Sequence, residues 1–419
     1  MKWKTIALTA ALLFTGDGHA ETLFINDATV HPMGMRPVMQ NADILIRDGK
    51  VHSLGADLEA PLDAVVIEAK GRPVTPGLFA GITQHGLSEI GMVEGTVDSQ
   101  LNSKDMLNMA GMRPEFDVTP AYNPLGSTVA VTRIEGLTWA LLGASQSGSI
   151  IGGQGQAVSL DGGWESFLGP KTLFISVGSS ASGKSGGSRA AQWMVVEQAI
   201  SEATSELAWL PSPLLTPAGR QALAGYLQSG PVVFSAHRAS DIRQVLSFSE
   251  KHGLDAVISG GAEAWIVADE LAAAGVAVLL DPLENLPGNF DRLGARMDNA
   301  ALLHSAGVTV AFTGPGTHNA RKQRQAAGNA VAHGLPWDTA LAALTSAPAN
   351  VFGIEGHGRI EPGGPADLVL WSGDPLEVTT SADQVFIAGK AFDMISRQSL
   401  LRDRYLAEEP ELPRAYIKP

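Results

Sequence analysis

The sequence predicts an α/β fold: a (β/α)8 TIM-like barrel carrying a small composite β-sandwich domain formed by both chain ends. Three observations point to it. Short strand-like runs crowd both ends of the chain, and the middle alternates apolar strand-like runs with amphipathic helical stretches, the pattern of a parallel sheet closed by helices. With 419 residues, 45% of them apolar and only 17% charged, the chain can bury a large core.

The elements follow in chain order. Met1-Lys2-Trp3-Lys4 is a short basic start, Ile6 to Phe14 an apolar run, and Gly18-His19-Ala20 a small-residue ending. That is the layout of a secretory signal peptide cleaved after Ala20, so residues 1–20 are assigned to it and the mature protein is expected to be secreted or periplasmic. An uncleaved leader would instead leave the chain tethered to the membrane. The apolar run falls short of the roughly 20 residues that a spanning helix needs, and no membrane span is expected after cleavage.

Residues 21–74 read as strands at Thr22–Ile25, Asp43–Arg47, Val51–Leu54 and Ala64–Glu68. Asp48-Gly49 between two of them is a hairpin turn signal. Residues 355–395 have the same texture, with strands at Asp367–Trp371 and Gln384–Ala388, and complete the composite sandwich. Residues 75–354 form the barrel. Its first strand is placed at Pro73–Ile82, and later ones at Pro231–Ser235, Ala256–Ile258, Val276–Leu280 and Val308–Phe312. Helices are expected at Ala239–His252, Ala262–Ala274 and around Asn299–Ala306. Residues 176–189 make a Gly/Ser-rich loop expected to be mobile, and 396–419 a C-terminal tail.

A formal charge of −14 disfavours nucleic acid as a partner. The chain has no cysteine, hence neither disulfides nor thiolate chemistry.

Two motifs carry a family resemblance. Pro73-Val74-Thr75-Pro76-Gly77-Leu78-Phe79 leads from a small β domain into the first barrel strand. Gly358-Arg359-Ile360-Glu361-Pro362-Gly363-Gly364-Pro365-Ala366-Asp367-Leu368-Val369-Leu370 closes the barrel and returns to that domain. Together with Asp374-Pro375-Leu376 and Ile387-Ala388-Gly389-Lys390 they resemble the amidohydrolase superfamily, particularly its imidazolonepropionase-like branch, over essentially the whole mature chain.

The resemblance implies hydrolysis of carbon–nitrogen bonds other than peptide bonds, in cyclic amides or similar compounds. It also implies one or two divalent metals, zinc above all, that activate water and polarise the scissile carbonyl. The family's ligands are a His-x-His pair ending strand one, in some members a lysine on strand four, one histidine each on strands five and six, and an aspartate on strand eight. Here Ile82 and Gln84 stand at the His-x-His positions, Ser235 at strand five and Ser259 at strand six, and no strand-four lysine can be placed. The stretch 299–337 holds neither Asp nor Glu, so the strand-eight aspartate, which also serves as general base, is missing in any register.

Three readings follow. In the first, another site works at the barrel mouth, with His237 and His85 as ligands or acid/base groups, Glu89 or Glu263 as carboxylate partner, and Gln84, Ser235, Ser259 and Arg189 as substrate-binding candidates. Any metal would then sit on His85, His237 and His318, since three histidines can hold zinc with an open position. His304 is a further mouth candidate, and His252 is expected to meet its own helix C-terminus. The same residues also read as ordinary polar loop and core groups, and Arg189 as a solvated helix-start residue. In the second reading the chain is a catalytically inactive binding protein, a homo-oligomer or the partner subunit of an intact relative, which keeps the pocket for a small-molecule ligand. In the third, Gly178-Ser179-Ser180-Ala181-Ser182-Gly183-Lys184-Ser185 matches the phosphate-loop pattern, with Asp281 ending a partner strand. Gly186 and Gly187 sit where the phosphate-capping helix must begin and oppose that reading. Trp164, Trp193, Trp209 and Trp265 read as core or interface residues.

Overall fold

The computed structural model describes residues 22–406 except 92, 94, 102–111, 146–148, 206–212 and 315. Residues 1–21, with the expected signal peptide, Trp209 and residues 407–419 therefore lie outside the described residues.

Strands from the two chain ends share one eight-stranded sheet. Its order runs Lys390–Phe392, Ala382–Ile387, Leu368–Trp371, Pro73–Pro76, Leu23–Val30, Met39–Arg47, Lys50–Gly55, with Val65–Glu68 added in parallel beside Leu23–Val30. The Asp48-Gly49 turn forms as the sequence predicts. Both residues have positive φ, 49° and 76°, the pair that a tight two-residue hairpin with Arg47 opposite Lys50 requires. The expected sandwich takes the shape of a single sheet rolled over its own apolar face. Val51 N donates to Gly364 O (3.0 Å), and Ala366 N to Gly49 O (2.9 Å), joining the start of the edge strand to the segment before Leu368. Leu23, Ile25, Ile44, Ile46, Val74, Leu368, Leu370 and Phe386 fill the space enclosed.

The second sheet has eight strands laid side by side in chain order: Leu78–Thr83, Leu137–Leu142, Ile151–Ser159, Phe167–Ser176, Pro231–Ala236, Asp255–Gly260, Ala277–Leu280 and Val310–Phe312. Seven run parallel and helices pack on their outside, as in a TIM barrel. The third strand departs from the ideal and lies antiparallel to both neighbours. The cause is local: only a short turn joins Ser159 to Phe167, and so short a connection can make only an antiparallel return. Phe79, Trp139, Phe234 and Phe312 are fully buried in the barrel core, and Phe79 and Trp139 stack at 4.3 Å between ring centroids.

The segment read as one first strand is two. Pro73–Pro76 belongs to the composite sheet and Leu78–Thr83 to the barrel, with Gly77 between them. A Cβ on Gly77 would fall 2.0 Å from Thr138 Oγ1, so only glycine lets the chain pass between the two sheets.

The first and eighth strands end the ladder, and the seam between them is bridged indirectly. Phe79 N donates to Leu344 O (2.7 Å) and Phe312 N to Ala343 O (3.1 Å). Nearer the mouth two side chains substitute for a strand: Thr313 Oγ1 accepts Ile82 N (3.0 Å) and Thr317 Oγ1 accepts Gln84 N (2.8 Å). Among the described residues no helix is long and apolar enough to cross a membrane.

Candidate functional site

The carboxyl ends of parallel barrel strands present alternate side chains to one mouth, where barrel sites lie. Ser235 is the register partner of both Ser176 and Ser259, so three neighbouring strands carry a rung of hydroxyls at one level. The rung continues as Leu279 and Ala311. Two cavities open above it, and Ile82 forms part of the wall of each.

The larger, about 470 Å3, is lined by Ile82, Ser235, Ser259 and Thr313 below, and by His237, Asp281, Glu284 and Arg292 above. Arg292 pairs with Glu284, and its Nη2 lies 2.8 Å from His237 Nε2. A guanidinium only donates, so Nε2 accepts and Nδ1 carries the ring proton. Nδ1 faces Glu284 Oε2 at 3.8 Å. Burial and the Arg292 charge push His237 down to about 4, so the ring is neutral at pH 7 and its lone pair is already engaged. His237 lies at the mouth as a positioned structural donor and acceptor, not as a free base. Glu284 is raised, chiefly by burial and further by Asp281, with Arg292 opposing. Asp281, at the end of the seventh strand, is raised by burial. One of its oxygens accepts Leu283 N at 2.9 Å, which leaves the other available to a ligand.

The smaller cavity, about 390 Å3, is lined by Ile82, Thr83, Gln84, Ser88, Glu89, Thr128, Ser145, Thr317 and His318 among others. Glu89 and His318 are exposed at its rim. The hydroxyls of Thr83 and Thr128 are buried without a hydrogen-bond partner.

The sequence candidates therefore divide. Ser235, Ser259 and His237 reach the first cavity, and Gln84, Glu89 and His318 the second. His85 joins neither: it is fully buried, both ring nitrogens lack partners, and burial pushes it down to about 4. The triad of His85, His237 and His318 is thus not assembled, and among the described residues no group of three or more His, Asp or Glu side chains is placed to hold a metal ion. Glu263 is a brace, accepting Ala239 N and Gly294 N, both at 3.0 Å. Arg189 lies in neither cavity's lining and is engaged by carboxylates. Its Nε lies 3.1 Å from both oxygens of Asp241, and it also pairs with Asp291. His304 is exposed on the helix Asn299–Ser305. His252 pairs with Glu197 of a neighbouring helix at 3.1 Å instead of meeting its own helix end.

The phosphate-loop reading fails on geometry. Gly178 N donates to Gln192 Oε1 (3.0 Å) and Ser179 N to Asp291 Oδ2 (2.7 Å), so side-chain oxygens already occupy backbone amides that a phosphate would need. Lys184 Nζ turns to Ser149 O at 3.3 Å.

Glu284, Arg292 and Thr313 were not among the sequence candidates, and Asp281 entered only as the strand-ending partner of the phosphate-loop reading. Asp281 closing an apolar strand was the one available signal; Glu284 and Arg292 lie in a segment, 281–298, whose path no periodicity fixes.

The metal of the family does not fit this donor set. The positions on strands one, five and six where the resemblance implies its ligands carry an isoleucine, an amide and two hydroxyls, where zinc needs imidazole, carboxylate or thiolate. His237, the imidazole lining the larger cavity, has given its lone pair to Arg292.

Known proteins resemble this chain in part of its sequence and in its fold. Residues 299–391 match the model of the amidohydrolase family. A segment is 45% identical over 60 residues to amidohydrolase tasK of Hapsidospora irregularis, covering 14% of this chain and 6% of that protein's length. An amidohydrolase from Thermotoga maritima superposes with a TM-score of 0.78 at 24% identity, over 88% of this chain and 99% of that one. N-isopropylammelide isopropylaminohydrolase from Burkholderia multivorans does so with a TM-score of 0.51 at 15% identity, over 88% and 98%. The protein thus has the fold of the amidohydrolase superfamily and, in residues 299–391, its sequence match.

Proposed function

We propose, with that fold and family match as premise, that this is an exported amidohydrolase-like protein whose barrel mouth takes a small carbon–nitrogen compound. Cyclic amides or similar molecules are the class, and the chain binds them without the family's metal-dependent step. One observation carries the reading: the positions where the family resemblance implies metal ligands, Ile82, Gln84, Ser235 and Ser259, all line the mouth cavities, yet none is a metal-binding group. The concave pocket persists while the metal chemistry has no seat. Export rests on the first twenty residues, and closeness to the imidazolonepropionase-like branch on the two motifs that flank the barrel.

A second reading, hydrolysis of the same bonds, is favoured by Asp281. Its carboxylate lies in the larger cavity with its affinity for protons raised by burial. That suits a base which takes a proton from attacking water and returns it to the leaving nitrogen.

Titrating the mature protein with a panel of five- and six-membered cyclic amides, by calorimetry and by turnover with and without added zinc or manganese, separates the readings. Binding without turnover is expected. Turnover lost in Asp281→Asn would establish the second reading, and turnover that needs metal would overturn both.

A further inference from the structure

Ile82 stands between two cavities of different chemistry, the second walled by buried hydroxyls with the Glu89 carboxylate exposed only at its rim. On one side, Asp281 and Glu284 face a single cation, Arg292, and His237 is neutral. Arg292 pairs with Glu284 and reaches Asp281 only through space. The two carboxylates thus outnumber the cation by one, and Asp281 has no direct ion pair. On the other side, Thr83 is 4% exposed, lines the cavity, and offers a hydroxyl that no protein group satisfies; the buried hydroxyl of Thr128 is in the same condition. Buried polar atoms without partners cost stability, and two of them lining the same cavity mark where a ligand or ordered water completes them. The wall common to both cavities is the apolar Ile82, and Leu283 and Leu286 line the charged side.

We propose that the mouth is a two-compartment site for a molecule bearing a cationic amine at one end and a neutral amide or hydroxyl at the other. The amine meets Asp281, the neutral group meets Thr83 and Thr128, and an apolar stretch crosses Ile82. This deepens the binding reading above, and rests on it, by assigning charge and polarity to the ligand.

The test is calorimetric titration of the mature chain with ω-amino amides of increasing chain length, primary amine at one end and carboxamide at the other. Affinity is expected to peak at one length. Alkyl amides lacking the amine should bind about tenfold or more weakly, as for loss of a charge-assisted bond. Asp281→Asn should weaken the amino amides by the same factor and leave the alkyl amides unchanged. Thr83→Val should weaken probes with the carboxamide but not simple alkyl amines. Because removal of the amine is made on the probe, the result stands even if a variant folds poorly. Alkyl amides that bind as tightly as amino amides, or an Asp281→Asn protein with unchanged affinity, would overturn the assignment. Cyclic amides that bind while no amino amide does would overturn it alone; failure of both sets would remove the binding reading as well.

Discussion

Arg189 joins three parts of the barrel wall, and its loss has a magnitude that the structure sets. Its guanidinium faces Asp241 on the helix Ala239–His252 and Asp291 in the segment that carries Arg292, while Asp291 also accepts the backbone and hydroxyl of Ser179 at 2.7 and 2.6 Å. The carboxylates are nearly buried, at 6% and 8% side-chain exposure, and the arginine is 35% exposed. Arg189→Met keeps the stem and removes the charge. Stripping one partner from a buried pair costs about 3–5 kcal/mol; water at the partly exposed guanidinium reduces that to about 2 kcal/mol here.

The pH dependence separates charge from packing. Burial raises Asp241 in spite of Arg189. At Asp291 burial is outweighed by Ser179 and Arg189, and the carboxyl is held low. Without Arg189 both move upward. A carboxyl raised in the folded state penalises folding above its folded pKa, and the penalty fades as pH falls toward the unfolded value of about 3.9. Denaturant unfolding of wild type and Arg189→Met should therefore differ by about 2 kcal/mol at pH 7 and converge toward pH 4. Equal stabilities at pH 7 would refute the clamp; a gap constant with pH would show that packing, not charge, was lost.

Further expectations follow from single contacts. His85 is neutral in the fold, with its pKa lowered to about 4. The unfolded chain takes up a proton first, so stability on the order of 3 kcal/mol present above pH 6.5 is lost as pH falls toward 4; His85→Phe should flatten that limb in urea titrations across the range. Thr313→Val leaves the Ile82 amide without its acceptor at the barrel seam. It should cost about 1–3 kcal/mol, whereas Thr313→Ser should cost far less, as thermal unfolding will report. Introducing Ile82→His with Gln84→His restores only one ligand pair, while Ser235, Ser259 and the acid-free eighth strand remain unchanged. Zinc measured by elemental analysis should stay well below stoichiometric, because catalytic zinc sites use about three protein ligands; stoichiometric zinc would show that the mouth supplies donors not recognised above.

Much of the molecule was legible in the chain because it is written in local rules. Asp48-Gly49 sets its hairpin through backbone sterics, and alternating apolar strands and amphipathic helices between residues 231 and 312 specify parallel β/α units whatever surrounds them. That Ile82, Gln84, Ser235 and Ser259, where the family resemblance implies metal ligands, carry no metal-binding group is also legible in the sequence, since it depends on residue chemistry alone. What the sequence by itself left open depends on distance between parts remote in the chain. Periodicity does not say that Asp291 and Gln192 reach the backbone of Gly178-Ser179 and displace any phosphate, nor that Arg189 turns to two carboxylates. Nor does it say that the third strand reverses. His237 could be named from its strand end, but whether its lone pair was free turned on Arg292, fifty-five residues away. Tertiary packing alone brings that guanidinium to 2.8 Å and, with burial, decides that the ring is a fixed acceptor while Asp281 keeps the charge open to a ligand.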